Sequence, residues 1–255
     1  MVSNKKEQIC KLLKGIETGD PAAVSVVNED KYIQHNPQTH EGSEGLAVLF
    51  KRLSKTSPRV NIVRVFEDGD FVFAHTEYDF STQNIGFEIF RFEYDQAVEH
   101  WDNIQKRQGP NNSGHTMIDG SIEVTDYEIT ESNRTVIQSF VENTLIHGHL
   151  EKLNEYINKE HYTEHNPRLG DDLTELRTIL SKSSTCDSIH ISYEKCHRLL
   201  AEGNFVLSVC EGYTNKIPTS FFDLYRLKDG KIVEHWDTTE AIPSRNEWKN
   251  NNGKF

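Results

Sequence analysis

The chain is written twice. Tyr32-Ile33-Gln34-His35-Asn36-Pro37 returns as Tyr162-Thr163-Glu164-His165-Asn166-Pro167, and Val98-Glu99-His100-Trp101-Asp102 returns unchanged as Val233-Glu234-His235-Trp236-Asp237. Between them Phe87-Glu88-Ile89-Phe90-Arg91 is echoed by Phe222-Asp223-Leu224-Tyr225-Arg226, and Asp70-Phe71-Val72 by Asn204-Phe205-Val206. Behind them Asn111-Asn112-Ser113-Gly114 matches Asn250-Asn251-Asn252-Gly253. The offset grows from 130 to 139 residues along the repeat, as small loop insertions would make it do. Ordered matches of this kind mark a duplication. A length of 255 residues allows one domain or two; the duplication decides for two, each of roughly 120 residues. The polar, turn-rich run Gly109 to Gly114 opens the junction. The division this predicts is a first repeat over 1–118, a connector over 119–132 and a second repeat over 133–255.

Each repeat begins with helical signals. Ile9, Leu12, Leu13 and Ile16 recur at helical spacing, and Gly19-Asp20-Pro21 stops that helix. Pro21 suits the first turn of a second, short helix through Val27. Gly45 to Leu53 reads as a third. Val136, Phe140, Val141 and Leu145, then Leu150, Leu153 and Ile157, then Leu173, Leu176 and Leu180 play the same parts in the second repeat. The rest of each repeat is rich in β-branched and aromatic residues: Val60 to Phe66, Phe71 to Phe80, Ile85 to Tyr94 and Ala97 to Gln105. Asp229-Gly230 is a strong hairpin signal. Helices followed by a meander of antiparallel strands make an α+β domain.

Composition narrows the partners. Forty acidic against 28 basic residues give a net charge of -12, which repels phosphate backbones and anionic membrane surfaces. No apolar run is long enough to span a bilayer, and Met1 to Lys14 is charged, without the apolar core of a signal peptide. Cys10, Cys186, Cys196 and Cys210 form no Cys-x-x-Cys pair, so neither a disulfide framework nor a zinc knuckle is expected. The cysteines read as small buried hydrophobes in a reducing cytoplasm. A mean hydropathy of -0.66 fits small domains with much surface.

The candidate chemistry lies in the repeated motifs. His100 and Asp102, like His235 and Asp237, are two apart on a strand and share a face. A carboxylate there favours the imidazolium, and the pair could do general acid–base work if a cavity lies against it. A hairpin closed at Asp229-Gly230 would oppose Asp223 to Trp236 and Leu224 to His235, placing Phe222, Leu224 and Arg226 with His235 and Asp237. The same sorting puts Phe87, Ile89 and Arg91 with His100 and Asp102, and Glu88, Phe90, Glu99 and Trp101 on the other side. Pro37 restricts Asn36 to extended backbone in a loop from which His35, like His165, could reach a pocket mouth or cap a helix. His75 aligns with Val209 and cannot belong to chemistry shared by both halves, whereas Glu77 and Glu211 align. Gly42 and Gly45 align with Asp172 and Glu175, so the loops before the third helices differ. Tyr32, Asn36, His75, Phe87 and Trp101, with Tyr162, Asn166, Phe222 and Trp236, are the candidate pocket residues. Repeat one, which keeps its glycines and His75, is the favoured site.

These residues resemble a family. Tyr-x-x-His-Asn-Pro, Gly-x-x-Gly-Leu, Phe-[Asp/Glu]-Ile-Phe-Arg, Val-Glu-His-Trp-Asp and Asn-Asn-x-Gly, met once per half, look like the SnoaL-like group of the nuclear transport factor 2-like superfamily. The resemblance implies two tandem cone-shaped barrels, each with three N-terminal helices in the concavity of a strongly curved, mostly antiparallel mixed sheet. It implies a ligand cavity between helices and sheet, and sheet-to-sheet pairing, here as a pseudo-dimer within one chain or as a homo-oligomer. Name-giving members resemble polyketide cyclases that need no metal or cofactor and move a proton to and from a carbon beside a carbonyl. On this chain that implies Asp102 or Asp237 as base, with His35, His100, His165 or His235 as proton partner or oxyanion donor. The ligand would be a small, mostly apolar carbonyl compound, and the activity that of a lyase or isomerase. Since fold does not fix function, two other readings stand beside it. One is a non-catalytic small-molecule binding or stress-related accessory protein. The other is a metal site built from His35, His100 and Asp102.

Overall fold

The computed structural model describes residues 4–53, 55, 57–181 and 189–255. Cys186 lies outside the described residues. Helix α1 (Asn4–Thr18) buries Ile9, Leu12, Leu13 and Ile16 on one face. It ends where Gly19 takes up φ 67°, and the Asp20 carboxylate accepts from the Ala22 N–H at 2.8 Å to start a 3-10 turn over Pro21–Val26. Strand β1 (Ile33–Gln34) and helix α2 (Gly42–Leu53) follow, then the meander β2 (Arg59–Asp68), β3 (Phe71–Asp79), β4 (Gln83–Glu93) and β5 (Gln96–Lys106). The second half repeats the plan. Helix α3 (Thr130–Phe140) runs into a π turn over Val141–Ile146, and a 3-10 turn (Leu150–Lys152) leads into α4 (Leu153–Tyr156). Then come β6 (Thr163–Glu164), α5 (Leu173–Leu180), β7 (Ile191–Glu202), β8 (Phe205–Thr214), β9 (Ile217–Lys228) and β10 (Lys231–Ala241). No described helix is long and apolar enough to cross a membrane.

Each half is thus α+β with a five-stranded mixed sheet, in the orders β1-β5-β4-β3-β2 and β6-β10-β9-β8-β7. The parallel edge is the His-Asn-Pro element itself. Gln34 pairs with His100 and Glu164 with His235, and the His35 and His165 N–H groups donate to the His100 and His235 carbonyls at 2.9 Å each. This non-local pairing joins the two repeated motifs.

The last hairpin departs from the expected register. Glu99 pairs with Arg91 but Ala97 with Phe92, and Glu234 pairs with Arg226 but Ile232 with Leu227. Val98 and Val233 are therefore extra residues in a β-bulge. A shift of one residue exchanges the faces of a strand. His235 opposes Tyr225 and Asp237 opposes Asp223; His100 opposes Phe90 and Asp102 opposes Glu88. The face sorting obtained by counting back from the turn is corrected by this bulge. Glu88 and Asp223 join the His and Asp, while Phe87, Ile89 and Arg91, like Phe222, Leu224 and Arg226, share the opposite face with Trp101 and Trp236.

The helices cover the His–Asp face. In the first half Leu12, Leu13, Ile16, Leu46 and Phe50 pack with Val72, Ala74, Tyr78 and Phe90. In the second, Ile137, Phe140, Val141 and Leu173 pack with Val206, Cys210, Phe221 and Tyr225.

The chain separates into two compact units, Met1–Arg107 with Pro243–Phe255, and Gln108–Ile242. This differs from a simple cut at the junction. The segment after the first meander belongs to the second unit, and the segment after the second meander belongs to the first. In the first unit Asn250 Nδ2 donates to the Asn36 and Thr39 carbonyls at 2.7 and 3.0 Å. In the second, Asn111 Nδ2 donates to the Glu164 and Asn166 carbonyls at 2.6 and 3.4 Å. Both asparagines are buried, and their loss takes a side-chain donor from the Thr39 and Glu164 carbonyls, whereas the Asn36 and Asn166 carbonyls also accept from the Thr39 and Leu169 N–H groups. Asn250→Ala and Asn111→Ala should each cost about 1–3 kcal/mol. Amide hydrogen exchange should show the protection lost around Asn36 in the first variant and around Glu164 in the second; loss in the other unit would contradict the exchange of tails.

Candidate active site

In the second unit the bulged strand carries His235 and Asp237 onto the helix-covered face, where β9 supplies Asp223 and β6 supplies Glu164. His235 is held from both sides. Its Nδ1 lies 2.8 Å from Glu164 Oε1, and its Nε2 lies 3.3 Å from Asp223 Oδ1. The Tyr162 hydroxyl donates to Glu164 Oε2 at 2.5 Å, and the Tyr193 hydroxyl donates to Asp223 Oδ1 at 3.1 Å. Asn166 Nδ2 donates to Asp237 Oδ2 at 2.7 Å. Asp237 Oδ1 and Asp223 Oδ2 are buried with no hydrogen-bond partner among the described residues.

These free oxygens belong to residues that line a cavity. Its polar side is Tyr162, Tyr193, Asp223, Tyr225, His235 and Asp237, and its apolar side includes Phe140, Ile157, Leu176 and Leu180. The space open to a water-sized body is about 30 Å³, room for a water molecule or two.

The electrostatics follow from burial. Burial disfavours a charged His235, but the carboxylates of Glu164 and Asp223 outweigh it and hold the imidazole well above its ordinary pKa. Burial also opposes a charged Glu164, and His235 with the Tyr162 and Asn166 hydrogen bonds brings it below the usual range. Asp237 goes the other way. Burial first, and then the charges of Asp223 and Glu164, push it up to about 7, against the pull of His235 and Asn166. A carboxyl poised there can both take and give a proton near neutrality.

The first unit has the same frame with different chemistry. His100 Nε2 lies 2.7 Å from Glu88 Oε2, and its Nδ1 lies 3.1 Å from Gln34 Oε1, an amide where the second unit has a carboxylate. The Tyr78 hydroxyl donates to Glu88 at 2.7 Å, and Asn36 Nδ2 donates to Asp102 Oδ2 at 2.8 Å. The Lys254 ammonium donates to the Asp102 carbonyl at 2.7 Å and lies 3.8 Å from Asp102 Oδ1. Glu88, His100 and Asp102 bring three donor atoms within 4.8 Å of one another and could hold a metal ion. The set His35, His100 and Asp102 is not assembled, because His35 lies on the opposite face.

That opposite face gathers the remaining candidates. His35 stacks on Trp101 and His165 on Trp236, each with ring centroids 4.6 Å apart. His35 Nε2 lies 2.9 Å from Glu99, which accepts from Arg91 Nε at 2.7 Å; His165 Nε2 lies 3.0 Å from Glu234, which accepts from Arg226 Nε at 2.6 Å. The other ring nitrogens face the Gly253 and Thr116 carbonyls. These histidines are built into a stacked, ion-paired layer. His75, paired with Arg64 at 2.9 Å, packs on Phe87 there.

Of the candidates from sequence, His100, Asp102, Tyr32 and Asn36, and His235, Asp237, Tyr162 and Asn166, are on the helix-covered side. His35, His165, His75, Phe87, Phe222, Trp101 and Trp236 are not. The cavity beside the raised Asp237 carboxyl lies in the second unit; the sequence favoured the first. Glu88, Asp223, Gln34, Glu164 and Lys254 were missed as site residues. The signal for Gln34 and Glu164 was available: they sit at one position of the repeated motif and differ in charge.

No family model matches the chain, and no curated protein sequence does. Solved structures similar to it are polyketide cyclase-like and nuclear transport factor 2-like proteins. A protein described as a candidate polyketide cyclase from Bacillus cereus is 16% identical over 40% of this chain and 74% of its own, with a TM-score of 0.36. A nuclear transport factor 2-like protein of unknown function from Burkholderia xenovorans is 15% identical over 43% and 88%, with a TM-score of 0.38. An epoxide hydrolase from M. tuberculosis, of the LEH-like type, is 16% identical over 40% and 83%, with a TM-score of 0.35.

The raised Asp237 carboxyl has a stability consequence. Its folded pKa of about 7 lies above the ordinary 3.8, so the folded state binds the proton more tightly. The penalty is absent below pH 4, grows between about pH 4 and 7, and is constant above. Asp237→Asn removes it. The variant should gain on the wild type across that window, by about 4 kcal/mol at the upper end. Urea midpoints of the two proteins from pH 4 to 8 read this directly; a difference that stays flat with pH would show Asp237 to be ionised with an ordinary pKa.

Proposed function

We propose that the second unit takes a small, mostly apolar carbonyl compound and moves a proton to and from the carbon beside the carbonyl, in an isomerisation or aldol-type cyclisation. The observation that carries this is the Asp237 carboxyl, near-neutral in pKa, with Oδ1 unpaired at an apolar-walled cavity. Asn166 holds Oδ2 and so leaves Oδ1 as the proton acceptor. His235 is fixed as a cation, and its Nε2–H, whose bond to Asp223 is the longer of its two, is the donor able to turn toward a developing enolate oxygen. The likeness of the repeated motifs to SnoaL-like cyclases supports the same assignment. The step uses only the chain's own groups. A ligand larger than a few atoms enters by displacing the apolar wall from α5, where Leu176 and Leu180 are half-buried. The cone-shaped barrel of that family is part of this proposal.

The first unit favours a second, non-catalytic reading. The oxygen left free in Asp237 has its counterpart in Asp102 Oδ1, and there the Lys254 ammonium stands 3.8 Å away. We read that unit as a binding or supporting copy.

The test is proton exchange. A panel of small apolar ketones and β-keto esters is incubated with the protein in deuterated buffer, and α-carbon labelling is followed by NMR. The wild type should label at least one. Asp237→Asn should lower the rate by about 10²–10⁴-fold with ligand affinity little changed, and Asp102→Asn should leave the rate intact. Equal labelling by wild type and Asp237→Asn would end the catalytic reading.

A further inference from the structure

Among the described residues, the second unit carries two thiols that the proposed chemistry does not use. Cys196 on β7 and Cys210 on β8 are directly opposed partners in the antiparallel register. Opposed residues in such a ladder have Cα atoms about 4.5–5.5 Å apart, inside the range a disulfide spans. Both side chains are on the helix-covered face: Cys210 is a fully buried member of that core, and Cys196 packs against it half-buried. The register shifts on both sides, between Tyr193 and Lys195 and between Cys196 and Arg198, so the pair sits in a short regular stretch between two bulges.

The two sulfurs are not equivalent. The Cys196 thiol lies 3.5 Å from the Arg198 carbonyl, and its interaction with Cys210 lowers its pKa, while the same interaction and burial raise that of Cys210 well above a free thiol. The more acidic sulfur is also the one with access to solvent, as an attacking thiol needs. The first unit lacks the pair. At the same place in its register, again just before a bulge, Ile62 opposes Thr76.

We infer that Cys196 and Cys210 form a redox-active dithiol, closing to a cross-strand disulfide between β7 and β8. The oxidant is a small-molecule disulfide of the glutathione class. The Cys196 thiolate attacks one of its sulfurs, breaking that S–S bond and releasing one small thiol. Cys210 gives up its proton and attacks the Cys196 sulfur of the mixed disulfide, releasing the second small thiol. Two protein thiols are oxidised and one small disulfide is reduced. The second step is intramolecular, so full burial of Cys210 does not prevent it. The bridge would lie beside the site: Tyr193 on β7 bonds Asp223, and Ser208 on β8 opposes Asp223.

The full chain, reduced and then equilibrated in glutathione buffers of increasing oxidised fraction, is alkylated and analysed by peptide mass spectrometry. We expect Cys196 and Cys210 to leave the alkylated pool together, as one linked peptide about 2 Da lighter than its reduced parts. Cys10 should stay reactive once the chain is unfolded. In Cys210→Thr, which copies the first unit, Cys196 should instead retain glutathione. Cys196→Ile, at the half-buried position, should remove both products and serves if Cys210→Thr does not fold. Independent alkylation of the two thiols at every ratio, or glutathione persisting on Cys196 of the wild type, would overturn the inference. The readout is blind to carbonyl chemistry and so stands apart from the activity proposed for Asp237.

Discussion

One unpaired residue in each final strand organises the site. Strand side chains alternate strictly, so Val98 and Val233 decide on which side of the sheet every later residue appears. The bulge turns His235 and Asp237 toward the helices, opposite Asp223 and beside Glu164. Four ionisable groups then share a buried space, and isolated charges there would be prohibitive. The arrangement answers with one imidazolium between two carboxylates. That leaves Asp237 without a full cationic partner, and its carboxyl keeps a proton toward neutral pH. The property that suits it to proton transfer follows from a shortage of positive charge.

Backbone satisfaction sets the second constraint. The His-Asn-Pro element contributes only a two-residue strand in each half, and the turn after it exposes carbonyls that no sheet partner reaches. Asn111 and Asn250 supply those donors from the exchanged tails. The Asn-Asn-x-Gly echoes, which read from sequence as turn-rich polar ends, are structural clamps.

Much of this was legible beforehand. The duplication, the helical segments, the meander and the Asp229-Gly230 turn follow from local patterns of period and turn chemistry. The face assignment did not, because counting back from a turn assumes an unbroken ladder and Val233 resembles any other strand valine. That single slip hid Asp223 and Glu88 and placed Phe222 and Phe87 beside the His–Asp pairs. Gln34 and Glu164 escaped for another reason: they reach the histidines through a parallel pairing about 66 residues away in the first repeat, and no local rule reports such a contact.

The residues around the two repeated motifs have been kept in some places and exchanged in others. On the face with the tryptophans, His35, Glu99, Arg91 and Trp101 recur as His165, Glu234, Arg226 and Trp236, with the same His–Glu and Arg–Glu pairs and the same stacking distance. On the helix-covered face His100, Asp102, Tyr32 and Asn36 recur as His235, Asp237, Tyr162 and Asn166, while Gln34 becomes Glu164, Glu88 becomes Asp223, Phe90 becomes Tyr225, and Ile62 with Thr76 becomes Cys196 with Cys210. The stacked, ion-paired group holds the last strand in place in both halves, while the acids beside the shared His–Asp pair differ between them. Around Asp102 the neutral amide of Gln34 replaces the negative charge of Glu164, and the Lys254 ammonium adds a positive one. The same scaffold therefore holds two environments of different charge, and the repeated His-Trp-Asp motif marks the frame that both copies share.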